Sequence, residues 1–400
     1  MSIGVITVIT IVILLLLLVS GLPVVFCLMA IGLGGYFLLI GPGTLHVVFS
    51  NTWSVVTQEI YLAVPMFVLM ANVLQFSGIV SALYTMMHKW FSGLRGGLAI
   101  GTVATCTLLA AMTGIGATGV VTMGLTAYPE MMKRGYDKSI AIGCIPPAGA
   151  LGPLIPPSAL MIIIGGLSAI SVGRLFIGGV FPGLIMSGFF IAYIIVICWR
   201  KPHLAPALPP EERATWREKL VSLREVVLPM LLIVGVLGSI YTGAATPIEA
   251  GGVGALGALI CAAIYRTLNW KNIREAIHST LRVTCMVLWL LIGGASFASF
   301  LCASGVSHFI AEVFIGIPSP MVVVIIMMII ALIMGMFMDG SAITMICIPI
   351  FMPIVRELGV DPLWFALLFT INMIIGYVTP PFGMNLFSII VISGGTNPLR

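Results

Sequence analysis

Long apolar blocks alternate with short polar punctuation along this chain, at a scale that matches a bilayer rather than a globular core. Nine blocks, at 3–20, 23–41, 60–78, 139–165, 174–199, 226–243, 247–265, 283–303 and 361–391, are each long enough to cross the ~30 Å hydrocarbon layer. Two further apolar stretches, 97–133 and 320–357, break midway at Gly-rich turns. Each must enter and leave on one side, as a re-entrant hairpin or as two full crossings. Blocks 139–165 and 361–391 are themselves interrupted, by PPAGALGPLIPPS (146–158) and GYVTPPFGMN (376–385). Proline removes an amide donor and clashes with the carbonyl one turn earlier, so neither helix runs through unbroken. Lipid-facing broken backbone is not tolerated at that depth, so both breaks should face protein or a water-filled cavity. One such break reads equally well as an ordinary proline kink; two at matching positions favour a functional role. Segments 46–59 and 269–278 read as amphipathic helices lying in the interface. The pattern predicts an all-α membrane protein with two helical hairpins and two broken transmembrane helices.

Rare residues recur at a fixed offset of 224: Pro23 with Pro247, Gly116 with Gly340, Pro129 with Pro353, and Gly135 with Gly359. Asp137 pairs with Asp361, Gly152 with Gly376, Pro156 with Pro380, and Pro157 with Pro381. Duplicated halves with helix breakers deep inside apolar segments mark a secondary transporter. The expected organisation is a first repeat over 1–173, a linker helix and loop over 174–224, and a second repeat over 225–400.

Composition narrows the class: 60% hydrophobic and 8% charged residues exclude a soluble globular protein. The long polar stretch, 200–225, is too short for a soluble domain. The first apolar run lacks a basic start and a small-residue cleavage site, so it does not read as a signal peptide. The eight cysteines are scattered through apolar segments without a CxxC pair and read as small buried residues. The net charge of +5 is explained by topology. With the N-terminus outside, sixteen of the 18 Lys and Arg residues fall on the cytoplasmic side; Arg174 and Arg356 fall outside. The basic residues are thus orientation signals and not a nucleic-acid patch. The same layout brings hairpin 97–133 in from the cytoplasm and hairpin 320–357 in from outside, so the repeats should be inverted. Trp53, Trp90, Trp199, Trp270 and Trp364 read as interfacial anchors.

Candidate chemistry lies at the breaks. The first hairpin turns at TGIGATG (113–119), whose Gly and Thr residues free carbonyls and place hydroxyls and helix ends at membrane depth. Such oxygens suit a hard cation and helix N-termini suit an anion; a Gly-Thr helix-packing seam is the alternative. The second turns at GMFMDGSAIT (335–344), where Asp339 is an acid deep in an apolar stretch, flanked by Ser341 and Thr344. An intramembrane carboxylate is costly and usually functional, the alternative being a cap for the following half-helix. Glu249 reads as structural, since TPIE (246–249) is a capping box with Pro247 at the first helical position. The five His residues sit at loops or segment ends and build no relay across the membrane, which tilts coupling toward sodium.

Several motifs make the chain resemble the large permease subunit of tripartite ATP-independent periplasmic (TRAP) transporters, the DctM type. They are YPEMMKRGYD (128–137), GPLIPPS (152–158), FIGGVFPG (176–183), TPIEAGG (246–252), Met338–Asp339 and IGYVTPPFGMNLF (375–387), in family order over essentially the whole chain. The resemblance implies an inverted-repeat, elevator-type symporter of the bacterial inner membrane. It would import a small organic anion, a carboxylate such as a dicarboxylate or sugar acid, driven by sodium. It also implies a periplasmic substrate-binding protein and a small four-helix membrane subunit as separate partners, with membrane lipid around them and no enzymatic activity or further cofactor. The tip GIGATG departs from the Ser-rich tip expected of the family.

The reading places a first sodium between Gly114, Gly116 and Thr118 of one tip and Gly149 and Gly152 of its break. A second lies between Met338, Asp339 and Ser341 of the other tip and Gly376 and Thr379 of its break. The substrate carboxylate would sit between them, with Thr118, Ser158, Thr379 and Asn385 as its side-chain partners. The N-terminus is expected in the periplasm and the C-terminus in the cytoplasm. Competing readings are another sodium–anion symporter of related inverted-repeat fold and an ion channel, which would conduct without a sodium gradient. An intramembrane enzyme is disfavoured, since the sequence places no Ser/His, Asp/Asp or HExxH constellation at membrane depth.

Overall fold

The structure is a computed structural model that describes residues 2–41, 43, 45–114, 116–209, 211, 213–380 and 383–394, without the side chains of Ala117 and Glu225. Among these the chain is helical throughout. The first half comprises α1 (Ile3–Val19), α2 (Val24–Gly35), α3 (Leu45–Val56), α4 (Ala63–Phe76) and α5 (Ile79–Phe91). There follow α6 (Gly97–Thr113), α7 (Gly116–Lys133), α8 (Lys138–Gly143), α9 (Ile145–Gly149) and α10 (Ala159–Ser168). The long α11 (Val172–Arg200) leads to α12 (Trp216–Tyr241), α13 (Pro247–Ile264), α14 (Trp270–Ala303) and α15 (Val306–Ile315). The chain closes with α16 (Pro320–Gly335), α17 (Gly340–Glu357), α18 (Pro362–Val378) and α19 (Met384–Ile392).

Helix ends fall where local chemistry puts them. Asp137 and Asp361, one offset apart, each cap a helix: Asp137 accepts the Ser139 amide, and Asp361 accepts the Leu363 and Trp364 amides. The Ser139 hydroxyl and amide hold the Asp137 carboxyl below its usual range. Gly135 (φ 73°) and Gly359 (φ 68°) both turn the chain in the left-handed region just before those caps. Thr246 and Glu249 form the anticipated capping box, with Glu249 Oε2 accepting the Thr246 amide at 2.8 Å. Helices α7 and α17, at 116–133 and 340–357, repeat the 224-residue offset at both ends.

Five helical segments, Glu59–Phe76, α11, α13, α14 and α17, are long and apolar enough to span a bilayer among the described residues. Several of the nine blocks come out shorter or divided. α1 and α2, for instance, have 17 and 12 residues, and block 139–165 splits into α8, α9 and α10. Three further differences have local causes. Segment 269–278 is not a separate interfacial helix but the first turns of the 34-residue α14, because nothing between Trp270 and Ala303 breaks the ladder. Helix α12 starts ten residues earlier than its apolar block, where Thr215 and Glu218 form a second capping box. Helices α5 and α15 were not anticipated, since each is short and follows a left-handed glycine, Gly78 or Gly305. The five expected anchor tryptophans are 36–77% exposed.

Helix α14 is the axis of one group, with α2, α3, α4 and α17 packed on it and α13 packed on α4. Close approach depends on small residues: a Cβ on Gly32 would lie 2.7 Å from Ser296 backbone, and one on Gly293 3.0 Å from the Val25 carbonyl. The hairpins α6–α7 and α16–α17 pack against the broken segments, α7 on α9 and α19, and α16 on α18.

Candidate functional site

Both hairpin tips and both broken segments converge on one cavity of about 120 Å³, walled on its far side by α14. The first tip contributes Gly114 and Gly116, and its break contributes Pro153. The second contributes Asp339 and Ser341, with Tyr377 from α18 and Met384 and Asn385 from α19. Val283, Met286 and Val287 of α14 supply an apolar wall.

The first tip exists because Gly114 ends α6 with φ 61°, a conformation that only glycine adopts cheaply. It also lies against Pro157 and Ser158, where a Cβ would strike the Pro157 carbonyl. A Cβ on Gly116 would sit 3.1 Å from the Gly149 carbonyl and 3.3 Å from the Pro153 ring. Glycines on both sides thus let tip and break meet backbone to backbone. Pro146 and Pro147 sit in the first turn of α9, where a missing amide costs little, and the break opens after Gly149.

In the second half, Gly340 opens α17 as Gly116 opens α7. Its would-be Cβ lies 3.7 Å from Met373, which stands one offset from Gly149. Gly335 and Gly376 make the closest backbone approach there, a Cβ on Gly376 lying 2.9 Å from the Gly335 Cα. α18 ends at Val378, and Thr379 turns to extended backbone (ψ 126°).

Asp339 plays two parts. As N-cap of α17 its Oδ2 accepts the Ser341 amide at 2.9 Å. Its Oδ1 accepts the Tyr377 hydroxyl at 3.4 Å, and that hydroxyl accepts the Gly340 amide at 3.0 Å. The carboxylate is thereby fixed at a helix N-terminus while still lining the cavity. Among the described residues lining the cavity there is no Lys, Arg or His, so its charged side chain is an acid. Such a site suits a hard cation; an anion entering it needs that cation, or helix N-termini, as counter-charge.

The structure gathers Gly114, Gly116, Asp339, Ser341 and Asn385 around the cavity and places Gly149 and Gly376 at the tip–break contacts beside it. It does not place Gly152, Thr118, Met338, Ser158 or Thr379 in the lining. Ser158 is fully buried and spent inside the break: its Oγ donates to the Pro153 carbonyl at 2.6 Å and accepts the Met161 amide as N-cap of α10. Thr379 donates to the Ile375 carbonyl at 2.6 Å. Asn385 ties the halves together, its Nδ2 donating to the Pro146 carbonyl at 3.2 Å. Ile115, Pro381, Phe382 and Arg400 lie outside the described residues, as does the side chain of Ala117. Sequence reasoning missed Tyr377 and the α14 wall. Tyr377 stood inside GYVTPP, but a buried phenol bridging a cap is visible only in three dimensions.

Helical segments that span the membrane, two hairpins and two interrupted helices around an internal cavity define a multi-pass membrane transporter. The fold is similar to that of the YdaH transporter of Alcanivorax borkumensis, with a TM-score of 0.66 over 90% of this chain and 84% of that one at 16% identity. Residues 11–397 match the family described as the tripartite ATP-independent periplasmic transporter, DctM component, and the chain belongs to that family. It is 36% identical over 343 residues, 84% of this chain and 79% of the other, to the C4-dicarboxylate TRAP transporter large permease protein of Pseudomonas aeruginosa. It is 31% identical over 385 residues, covering 94% and 87%, to the ectoine/5-hydroxyectoine large permease of Ruegeria pomeroyi. The protein is thus a large permease of binding-protein-dependent transport.

Proposed function

We propose that this permease imports a small organic anion, a carboxylate, together with sodium, by an elevator motion of its hairpins and broken helices against the α14 group. The observation that carries this reading is the single cavity on which both tips and both breaks converge, holding one fixed carboxylate and no lining base among the described residues. Sodium ions supply the positive charge that the lining lacks. The second ion takes Asp339 and Ser341 with the Gly376 break; the first takes backbone oxygens of the Gly114–Gly116 tip and the Gly149 break. The acid lies between them, with Asn385 and the tip amides as hydrogen-bond partners. That similar proteins are named for a C4-dicarboxylate and for ectoine supports small polar solutes as a class and leaves the particular acid open.

In this reading the two halves are inverted repeats, the N-terminus is periplasmic and the C-terminus cytoplasmic, in a bacterial inner membrane. A periplasmic binding protein delivers the substrate and a small membrane subunit completes the permease. Uptake into proteoliposomes holding permease, small subunit and binding protein is the test. Uptake should require an inward sodium gradient and all three proteins. Equal uptake under a proton gradient without sodium defeats the coupling assignment.

A further inference from the structure

A second cavity, of about 260 Å³, lies between α3 and α14 on one side and α10 and α17 on the other. Asn51, Gln58 and Ser299 give it a polar lining, facing Gly166, Leu167 and Pro349. It is separate from the hairpin cavity but shares a helix face with it. Val287 lines the first and Ala298 the second. These two are 11 residues apart, about three turns of α14, so they point the same way roughly 16 Å apart.

The polar groups here are organised. Asn51 donates to the Ser299 hydroxyl at 2.8 Å, and Tyr36 donates to the Ser299 carbonyl at 3.3 Å. Thr52 and Ser296 pair at 3.3 Å alongside. Tyr36 opens the π-helical turn Tyr36–Ile40, a distortion often kept at working sites. Beside the cavity, the Tyr61 hydroxyl is buried without a hydrogen-bond partner, in a residue 4% exposed. It faces the backbone of Gly166, where a Cβ would come within 2.5 Å of it. Asn51 and Gln58 are exposed, whereas the unpartnered Tyr61 hydroxyl is buried and therefore costly.

We propose that this cavity is a second, weaker station for the same small organic acid, holding it before it reaches the hairpin cavity. The inference rests on the transport reading above. Its donors are neutral amides and hydroxyls, which hold carboxylate or hydroxyl oxygens without an ion pair and so release them readily. The α14 face is then apolar where the loaded site slides past and polar where substrate waits.

The test uses the complete reconstituted system with Asn51→Asp and Gln58→Glu, near-isosteric changes that place a negative charge in the station. Each should raise the KM for the acid at least about tenfold, with the maximal rate within about twofold and the sodium dependence unchanged. An unchanged KM in either correctly assembled variant overturns the proposal, as does a fall in maximal rate alone, which would make these groups part of the motion instead. Should Asn51→Asp fail to assemble, Gln58→Glu decides by itself, because its side chain makes no capping bond to the following turn. The wild-type control separates the two readings. Uptake without sodium dependence removes the coupling assignment but leaves the KM comparison meaningful.

Discussion

Replacing Asp339 by Asn separates its two parts, because the substitution removes the charge and keeps the cap. The amide oxygen of Asn can still accept the Ser341 amide now bound at 2.9 Å, and Asn caps helices as well as Asp does. The expected stability loss is therefore below about 0.5 kcal/mol. A carboxylate about 2.5 Å from a sodium ion gains roughly 6.6 kcal/mol at an effective dielectric near 20. If a quarter of that survives desolvation, about 1.7 kcal/mol remains, equivalent to somewhat more than tenfold in sodium affinity. Asp339→Asn should thus need at least about ten times more sodium for half-maximal uptake, with near-normal thermal unfolding in detergent. Asp339→Ala should show the same sodium defect and lose about 1 kcal/mol more for the missing cap. Tyr377→Phe strands the Gly340 amide, now bonded at 3.0 Å, and should cost about 1–3 kcal/mol. Glu249→Gln is the control carboxylate: it loosens a capping box outside the cavity lining and should leave the sodium dependence untouched. Wild-type sodium dependence in Asp339→Asn, with Asp339→Ala merely unstable, would reduce Asp339 to a helix cap and refute the ion assignment.

The helices were legible where breakers and caps are local. Pro247 with Glu249 and the paired prolines announce their geometry within four residues, so those ends fell where sequence placed them; Asp137 and Asp361, noted only as an offset pair, turn out to cap helices just as locally. Elements governed by continuity were not. The amphipathic look of 269–278 could not reveal that α14 runs on for 34 residues. The site was half legible for a related reason. Glycines and Asp339 stand out against an apolar background, and the structure brings five of the proposed residues to one cavity. The hydroxyls are less legible, because sequence shows that Ser158 and Thr379 carry oxygens but not that each donates its proton to a nearby backbone carbonyl. The α14 wall was invisible for the opposite reason: Val283, Met286 and Val287 resemble every other apolar residue in the chain.

Orientation is tested by cysteine labelling at Lys201, an exposed position in the loop before α12; Ser222, although in the basic stretch, is buried and unsuitable. Lys201→Cys should react only from the cytoplasmic face, and reaction only from the periplasm would overturn the orientation. Gly376→Ala tests whether the second hairpin works through contact with its break. The added Cβ would lie 2.9 Å from the Gly335 Cα and 3.1 Å from its carbonyl carbon. Both are backbone atoms of α16 and cannot swing aside as a side-chain end does, so α16 and α18 must part by several tenths of an ångström. Such overpacking costs about 1–3 kcal/mol and should both lower the unfolding temperature and slow uptake. Gly188→Ala is the matched control: a Cβ there meets nothing within 4 Å inside α11, and helix propensity favours Ala by up to ~1 kcal/mol. If Gly376→Ala unfolds and transports like Gly188→Ala, the close approach of hairpin and broken helix is not what shapes the site.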